Sequence, residues 1–82
     1  MATKAYILIE TSVGKSKDVV TQLRSCPEVR TADAVTGQYD VVAIVEAEDL
    51  NAVGDVLTSH IHPLKGIVRT VTCLSSDGGR AP

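Results

Sequence analysis

The chain has 82 residues, eight basic and ten acidic side chains, and a formal net charge of −2. A chain of this length forms one small domain, and small domains bury too little surface to be very stable alone, which favours oligomerisation. Lys and Arg form no basic stripe and Tyr6 and Tyr39 are the only aromatic residues, so direct nucleic-acid binding is not expected and the predicted core is aliphatic.

Nothing in the sequence indicates a membrane segment or a secretion signal. The N-terminal apolar run stops at Glu10, and nowhere do about 18 apolar residues follow one another. We therefore expect a cytoplasmic protein. Cys26 and Cys73 lie far apart without a second cysteine near either, which predicts two buried, reduced thiols.

Strand and helix patterns alternate along the first third of the chain. Residues 5–10 are apolar and β-branched, which predicts a first strand. From Lys15 the apolar residues Val19, Val20 and Leu23 recur at helical spacing, and Pro27 ends this helix. Residues 29–36 then alternate in polarity, with Val29, Thr31, Asp33 and Val35 predicted on one side of a second strand.

A tight turn at residues 37–40 joins this strand to the apolar run 41–45, so the two strands form a hairpin. Asp49 is placed to cap a second helix, whose predicted apolar positions are Leu50, Val53, Val56, Leu57 and Ile61. Pro63 and Gly66 end that helix. Gly54 inside it predicts close packing.

A last strand is predicted at residues 67–74, with Thr70 and Thr72 on one face and Arg69, Val71 and Cys73 on the other. The order βαββαβ is that of the α+β, ferredoxin-like fold. The domain is expected to cover residues 1–74, and residues 75–82 to form a disordered tail. The strands carry apolar residues on both faces, so we expect a dimer that packs sheet on sheet.

Three short motifs occur in a fixed order within these elements: residues 36–40 read TGQYD, Leu64 precedes Gly66 by two positions, and Thr70 precedes Thr72 by two. With this topology, residues 5–74 resemble the ligand-binding domain of the Lrp/AsnC family. The resemblance implies a dimeric α/β barrel that assembles into higher oligomers of dimers. It also implies a free amino acid or related small molecule as effector, bound between dimers near the hairpin turn and the last strand.

Carried over by position, the resemblance implicates a set of six ligand-binding residues: Gly37, Gln38, Tyr39, Asp40, Thr70 and Thr72. Turn amides can hold a carboxylate, Asp40 can pair with an ammonium group, and threonine hydroxyls can add hydrogen bonds. Structural roles are open for the same residues. Gly37 suits the turn itself, Asp40 could cap that turn, Tyr39 could fill a subunit contact, and threonines favour strands.

Two further features are read as structural. His60 and His62 have no third metal ligand near them in the sequence, so no metal site and no cofactor are predicted, and a role for the two histidines stays open. Arg69 lies within an apolar strand and needs a partner, for which Asp33 and Glu46 are candidates.

The resemblance suggests a function without catalysis. Family members usually carry an N-terminal helix-turn-helix domain, but few residues precede the first strand here, which favours a stand-alone module acting on transcription through full-length regulators. One alternative is an assembly module without a ligand. Another is a small dimeric α/β-barrel enzyme such as a monooxygenase, although no catalytic machinery is recognisable and the expectation is that the protein is not an enzyme.

Overall fold

The computed structural model describes residues 2–76, which form a four-stranded antiparallel sheet with two helices packed on one face. The strands are β1 (Thr3–Thr11), β2 (Val29–Ala34), β3 (Val41–Ala47) and β4 (Ile67–Leu74), and the helices are α1 (Ser16–Arg24) and α2 (Leu50–Val56). Within the sheet the strands lie in the order β2-β3-β1-β4. The predicted βαββαβ, ferredoxin-like fold is confirmed.

The core lies between the sheet and the helices and is aliphatic, as predicted. Alternate residues of β1 and β3 face it, because side chains of a strand alternate between the two faces. Helix α1 adds Val19, Val20 and Leu23, and the second helical segment adds Val53, Val56 and Ile61. The fully buried strand residues are Ala5, Ile7, Ile9, Val41, Ala43 and Val45.

Helix α2 begins as predicted, with the Asp49 carboxylate accepting a hydrogen bond of 2.8 Å from the backbone N–H of Ala52. It then widens into a π-helical turn, Leu57–Ile61, closed by a 2.8 Å bond from the His62 N–H to the Leu57 carbonyl. Leu50 was predicted on the apolar face of this helix with the core residues, and this was wrong, since 59% of the residue is exposed. It lies in the first turn of the helix, outside the buried set.

Strand β2 departs from the alternation expected of it. The pairing register with β3 shifts between Val29 and Thr31. Such a bulge inserts one residue and moves the following side chains to the opposite face. Val29 and Ala32 are therefore both buried, although strict alternation would place them on opposite faces.

The other face of the sheet carries a row of apolar side chains that no described helix covers. We call this row the open face and define it by Tyr6, Leu8, Val42 and Ile44, which alternate with the buried residues of β1 and β3. Tyr6 is 36% exposed, and the other three are partly buried by their neighbours. Val71 of β4 pairs with Leu8 and extends the row.

Gly66 links the end of the π-helical turn to β4 in a conformation that side chains rarely adopt, with φ of +95°. Its carbonyl accepts a 2.7 Å hydrogen bond from the Ser12 N–H, which ties this link to the end of β1. A β-carbon at residue 66 would lie 2.9 Å from the β-carbon of Lys15. Glycine is thus required here for both backbone geometry and space.

Three smaller expectations concern the cysteines, the membrane and the tail. Cys26 is buried, but Cys73 is exposed because it lies on the uncovered side of β4, so one of the two buried thiols was wrongly predicted. No helix within residues 2–76 has the length and apolar content needed to cross a bilayer. The Ser75 N–H bonds to the Lys4 carbonyl at 2.9 Å, and most of the predicted tail, residues 77–82, lies outside the described residues.

Candidate ligand-binding site

The hairpin turn between β2 and β3 is closed by a 2.9 Å hydrogen bond from the Val35 N–H to the Asp40 carbonyl. Gly37 adopts a φ of +154° within it, which agrees with the structural role considered for this glycine. Among residues 2–76, the N–H groups of Gly37, Gln38 and Tyr39 donate to no protein acceptor. The turn therefore offers backbone donors to a ligand.

Asp40 joins this turn to β1. Its N–H donates to the Ile9 carbonyl at 2.9 Å, and its Oδ2 accepts a 2.8 Å hydrogen bond from the Thr11 N–H. The carboxylate therefore anchors the end of β1, and the interpretation that it caps its own turn was wrong. A carboxylate has two oxygens, so Asp40 keeps acceptor capacity beside this anchor.

Arg69 lies next to the turn on the open face. Its Nε is 3.5 Å from Oε1 of Glu10, the residue that pairs with it across β1 and β4. Its guanidinium carbon lies 6.0 Å from the centroid of the Tyr39 ring, within the range of a cation–π contact. Arg69, Glu10 and Tyr39 thus form a charged and aromatic group beside Asp40.

The predicted partners of Arg69 were wrong, because both acidic candidates are held by other arginines. Asp33 lies 3.7 Å from Arg24, and Glu46 lies 3.0 Å from Arg30, in each case between N and O atoms of the side chains. The strand order explains the error. Strand β4 pairs with β1 at one edge of the sheet, whereas Asp33 lies on β2 at the other edge.

Thr70 and Thr72 lie on the face opposite Arg69, as the alternation predicted. They pair with Ile9 and Ile7, whose side chains are buried in the core. Oγ1 of Thr70 is 3.4 Å from Nε2 of His62, and Thr72 is exposed. The six implicated residues therefore form two groups in one chain: the turn residues 37–40 beside the open face, and the two threonines on the helix side of β4.

Sequence reasoning missed Glu10 as part of this region and read Arg69 as structural. A signal was available for Arg69, a charged residue on a face of β4 that otherwise carries Val71 and Cys73. The signal for Glu10 was weaker, because Lys4 lies on the same face of β1. What was missing was the pairing of β1 with β4, which brings the two together. The resulting surface presents a guanidinium, two carboxylates and free amide donors within one neighbourhood of the turn, a set suited to a small molecule with charges of both signs.

Comparison with known proteins gives a consistent picture. The family model of the Lrp/AsnC ligand binding domain matches residues 4–77. An uncharacterised HTH-type transcriptional regulator of Pyrococcus furiosus is 28% identical over 78 residues, which cover 92% of this chain and 52% of that protein. The chain thus spans about half the length of this curated relative.

Two solved structures extend the comparison. A protein of Thermus thermophilus is 32% identical with a TM-score of 0.86, and the match covers 98% of this chain and 96% of that one. A Neisseria meningitidis transcriptional regulator in complex with L-Met is 20% identical with a TM-score of 0.74, covering 96% and 53% of the two chains, and this likeness shows the fold alone. Because the family model matches residues 4–77 of the 82 in this chain, the chain belongs to the Lrp/AsnC family and consists largely of that family's ligand-binding domain.

Proposed function

We propose that this protein is a sensing and oligomerisation module that binds a free amino acid and acts on transcription together with full-length regulators, without catalysis. The observation that carries the proposal is that Asp40, Arg69 and Glu10 place side-chain charges of both signs beside the free amide groups of the hairpin turn. The Thermus protein, matched over 96% of its chain, supports a module of this length.

A zwitterion fits the chemistry of this group. The Arg69 guanidinium and the turn amides suit an α-carboxylate, and the carboxylates of Asp40 and Glu10 suit an α-ammonium group. The side chains of Arg69 and Glu10 are 63% and 44% exposed, and an exposed ion pair contributes less than about 1 kcal/mol. A ligand carboxylate can therefore replace Glu10 at little cost. The L-Met bound to the Neisseria regulator supports an amino acid as the ligand class.

The open face supports the oligomeric part of the proposal. A monomer would leave Tyr6, Leu8, Val42 and Ile44 against water, whereas a second sheet packed on them would bury the row. Because Arg69 and Tyr39 lie beside this row, a neighbouring subunit would come close to the proposed site. Ligand binding there would favour one assembly over another through its differential affinity.

A thermal-shift panel of the twenty amino acids tests ligand binding. A ligand at a hundredfold excess over its Kd stabilises the folded state by about 2.7 kcal/mol, and for a domain of this size each kcal/mol raises the Tm by roughly 4–8 °C. Arg69→Ala should abolish the shift. Arg30→Ala is the matched control, since its side chain is 62% exposed and pairs with Glu46 elsewhere.

Other outcomes redirect the proposal. If no amino acid shifts the Tm, the assembly module without a ligand becomes the better description, and the next measurement is co-purification with helix-turn-helix regulators. If Arg69→Ala and Arg30→Ala respond equally to the ligand, the site lies elsewhere.

Light scattering tests the assembly. The wild type should be at least a dimer at micromolar concentration, and Ile44→Glu on the open face should shift it toward the monomer. Leu50→Glu is the matched control because Leu50 is 59% exposed on α2, away from the open face. A monomeric wild type would contradict both the sensor and the assembly-only descriptions.

A further inference from the structure

Three potential metal ligands that are distant in the sequence meet at one end of the helices. Cys26 follows α1, Glu28 directly precedes β2, and His60 lies on the π-helical turn after α2. One ligand atom from each, a thiol sulfur, a carboxylate oxygen and an imidazole nitrogen, lie within 4.8 Å of one another. Sequence reasoning found no third ligand for a histidine site because only the packing of the helix ends brings these residues together.

The donor set is the one that zinc uses in proteins. Thiolate, imidazole and carboxylate are its ordinary ligands, and bonds of about 2.0–2.3 Å in tetrahedral geometry separate ligand atoms by roughly 3.5 Å. The Cys26 thiol already donates to Oε1 of Glu28 at 3.3 Å. His60 is exposed, so its side chain has the rotational freedom to complete the triad.

The surroundings give a cation access and attract it. A surface cavity of about 370 Å³ is lined by Glu28 and His60 together with Glu48 and Asp55. A second cavity, of about 290 Å³, is lined by Cys26 and again by His60. The triad therefore lies between two openings to solvent. The carboxylates of Glu28, Glu48 and Asp55 make the electrostatic potential in the larger cavity more negative, which attracts a cation.

We propose that Cys26, Glu28 and His60 form a site for a divalent transition metal of the zinc class, with three protein ligands and a water molecule in the fourth position. On binding, the S–H bond of Cys26 breaks, the metal–sulfur bond forms, and the proton passes to solvent. Glu28, which held that proton in a hydrogen bond, becomes free to coordinate.

Such a site would join the end of α1 to the end of the second helical segment. Metal binding would then restrain the π-helical turn and raise the Tm, because the bound state exists only in the folded chain. This site is separate from the hairpin turn and from Arg69, so it does not depend on the ligand proposed there.

Titration of the reduced protein with Co²⁺, a spectroscopic substitute for Zn²⁺, tests the site. One equivalent should produce the thiolate-to-cobalt charge-transfer absorption of a tetrahedral site, and Zn²⁺ should remove it by competition. Cys26→Ser should abolish this band. Glu28→Gln and His60→Ala should weaken binding by roughly tenfold or more, the scale on which changes at metal sites act.

Matched controls use the second cysteine and the second histidine. Cys73→Ser removes an exposed thiol on β4, and His62→Ala removes the imidazole next to Thr70, so both should bind Co²⁺ like the wild type. His60 is exposed, and its variant is expected to fold even if a change at buried Cys26 impairs folding. The proposal is overturned if no thiolate band forms, if Cys73→Ser loses the band, or if His60→Ala binds as tightly as His62→Ala.

Discussion

The same substitution, glycine to alanine, should have opposite effects on stability at Gly66 and Gly54. Gly66 has φ of +95°, and a β-carbon there would lie 2.9 Å and 3.2 Å from Cβ and Cγ of Lys15. A left-handed conformation costs an alanine about 1–2 kcal/mol, and forcing atoms into filled space costs about 1–3 kcal/mol. Because Lys15 can shift, we expect Gly66→Ala to lower the free energy of unfolding by about 2–4 kcal/mol.

Gly54 lies within α2 and is exposed, and a β-carbon there would meet no atom of residues 2–76 within 4 Å. Within the described part of the chain, the prediction of close packing at this glycine was thus wrong. Alanine in a helix interior is favoured over glycine by about 0.5–1 kcal/mol because it restricts the unfolded chain. We expect Gly54→Ala to stabilise the domain by that amount.

Urea denaturation at one fixed protein concentration measures both changes, since the stability of an oligomer depends on its concentration. We expect both variants to keep the wild-type dependence of the unfolding free energy on urea concentration, while the unfolding midpoint falls for Gly66→Ala and rises for Gly54→Ala. An unchanged midpoint for Gly66→Ala would refute the assigned backbone conformation and its contact with Lys15. A destabilised Gly54→Ala would show that another copy of the chain packs against this part of α2.

Three further predictions concern single side chains. Asp49→Ala should lower the free energy of unfolding by about 1 kcal/mol through loss of the helix cap, whereas Asp49→Asn should stay near the wild type in the same urea assay. Asp40→Ala should lower the free energy of unfolding by about 1.5–3 kcal/mol because the Thr11 N–H loses a charged acceptor. A smaller decrease than that caused by replacing an exposed aspartate would contradict the role of Asp40 in anchoring β1. Burial raises the pKa of the Cys26 thiol, so the unfolded chain loses that proton first and the free energy of unfolding should fall as the pH rises above about 8.5. With metal chelated, Cys26→Ser should remove this slope and Cys73→Ser should retain it.

Much of the fold could be predicted because it rests on neighbouring residues. The 3.6-residue spacing of Val19, Val20 and Leu23 and the alternation from Val41 to Val45 predicted a helix and a strand that the structure contains. Less of the site could be predicted. The position of the hairpin turn was predicted, but the anchor of Asp40 on β1 and the Glu10 partner of Arg69 were not, since both depend on which strands pair.

The sequence by itself determined the order of elements, the aliphatic core, the Asp49 cap and the family, because periodicity, capping and short motifs are local properties of the chain. Only the tertiary structure decided which distant side chains meet. A bulge moved Ala32 into the core, strand order paired Arg69 with Glu10, and the packing of two helix ends brought His60 to Cys26. Such contacts depend on register and crossing geometry, and a shift of one residue moves a side chain to the opposite face.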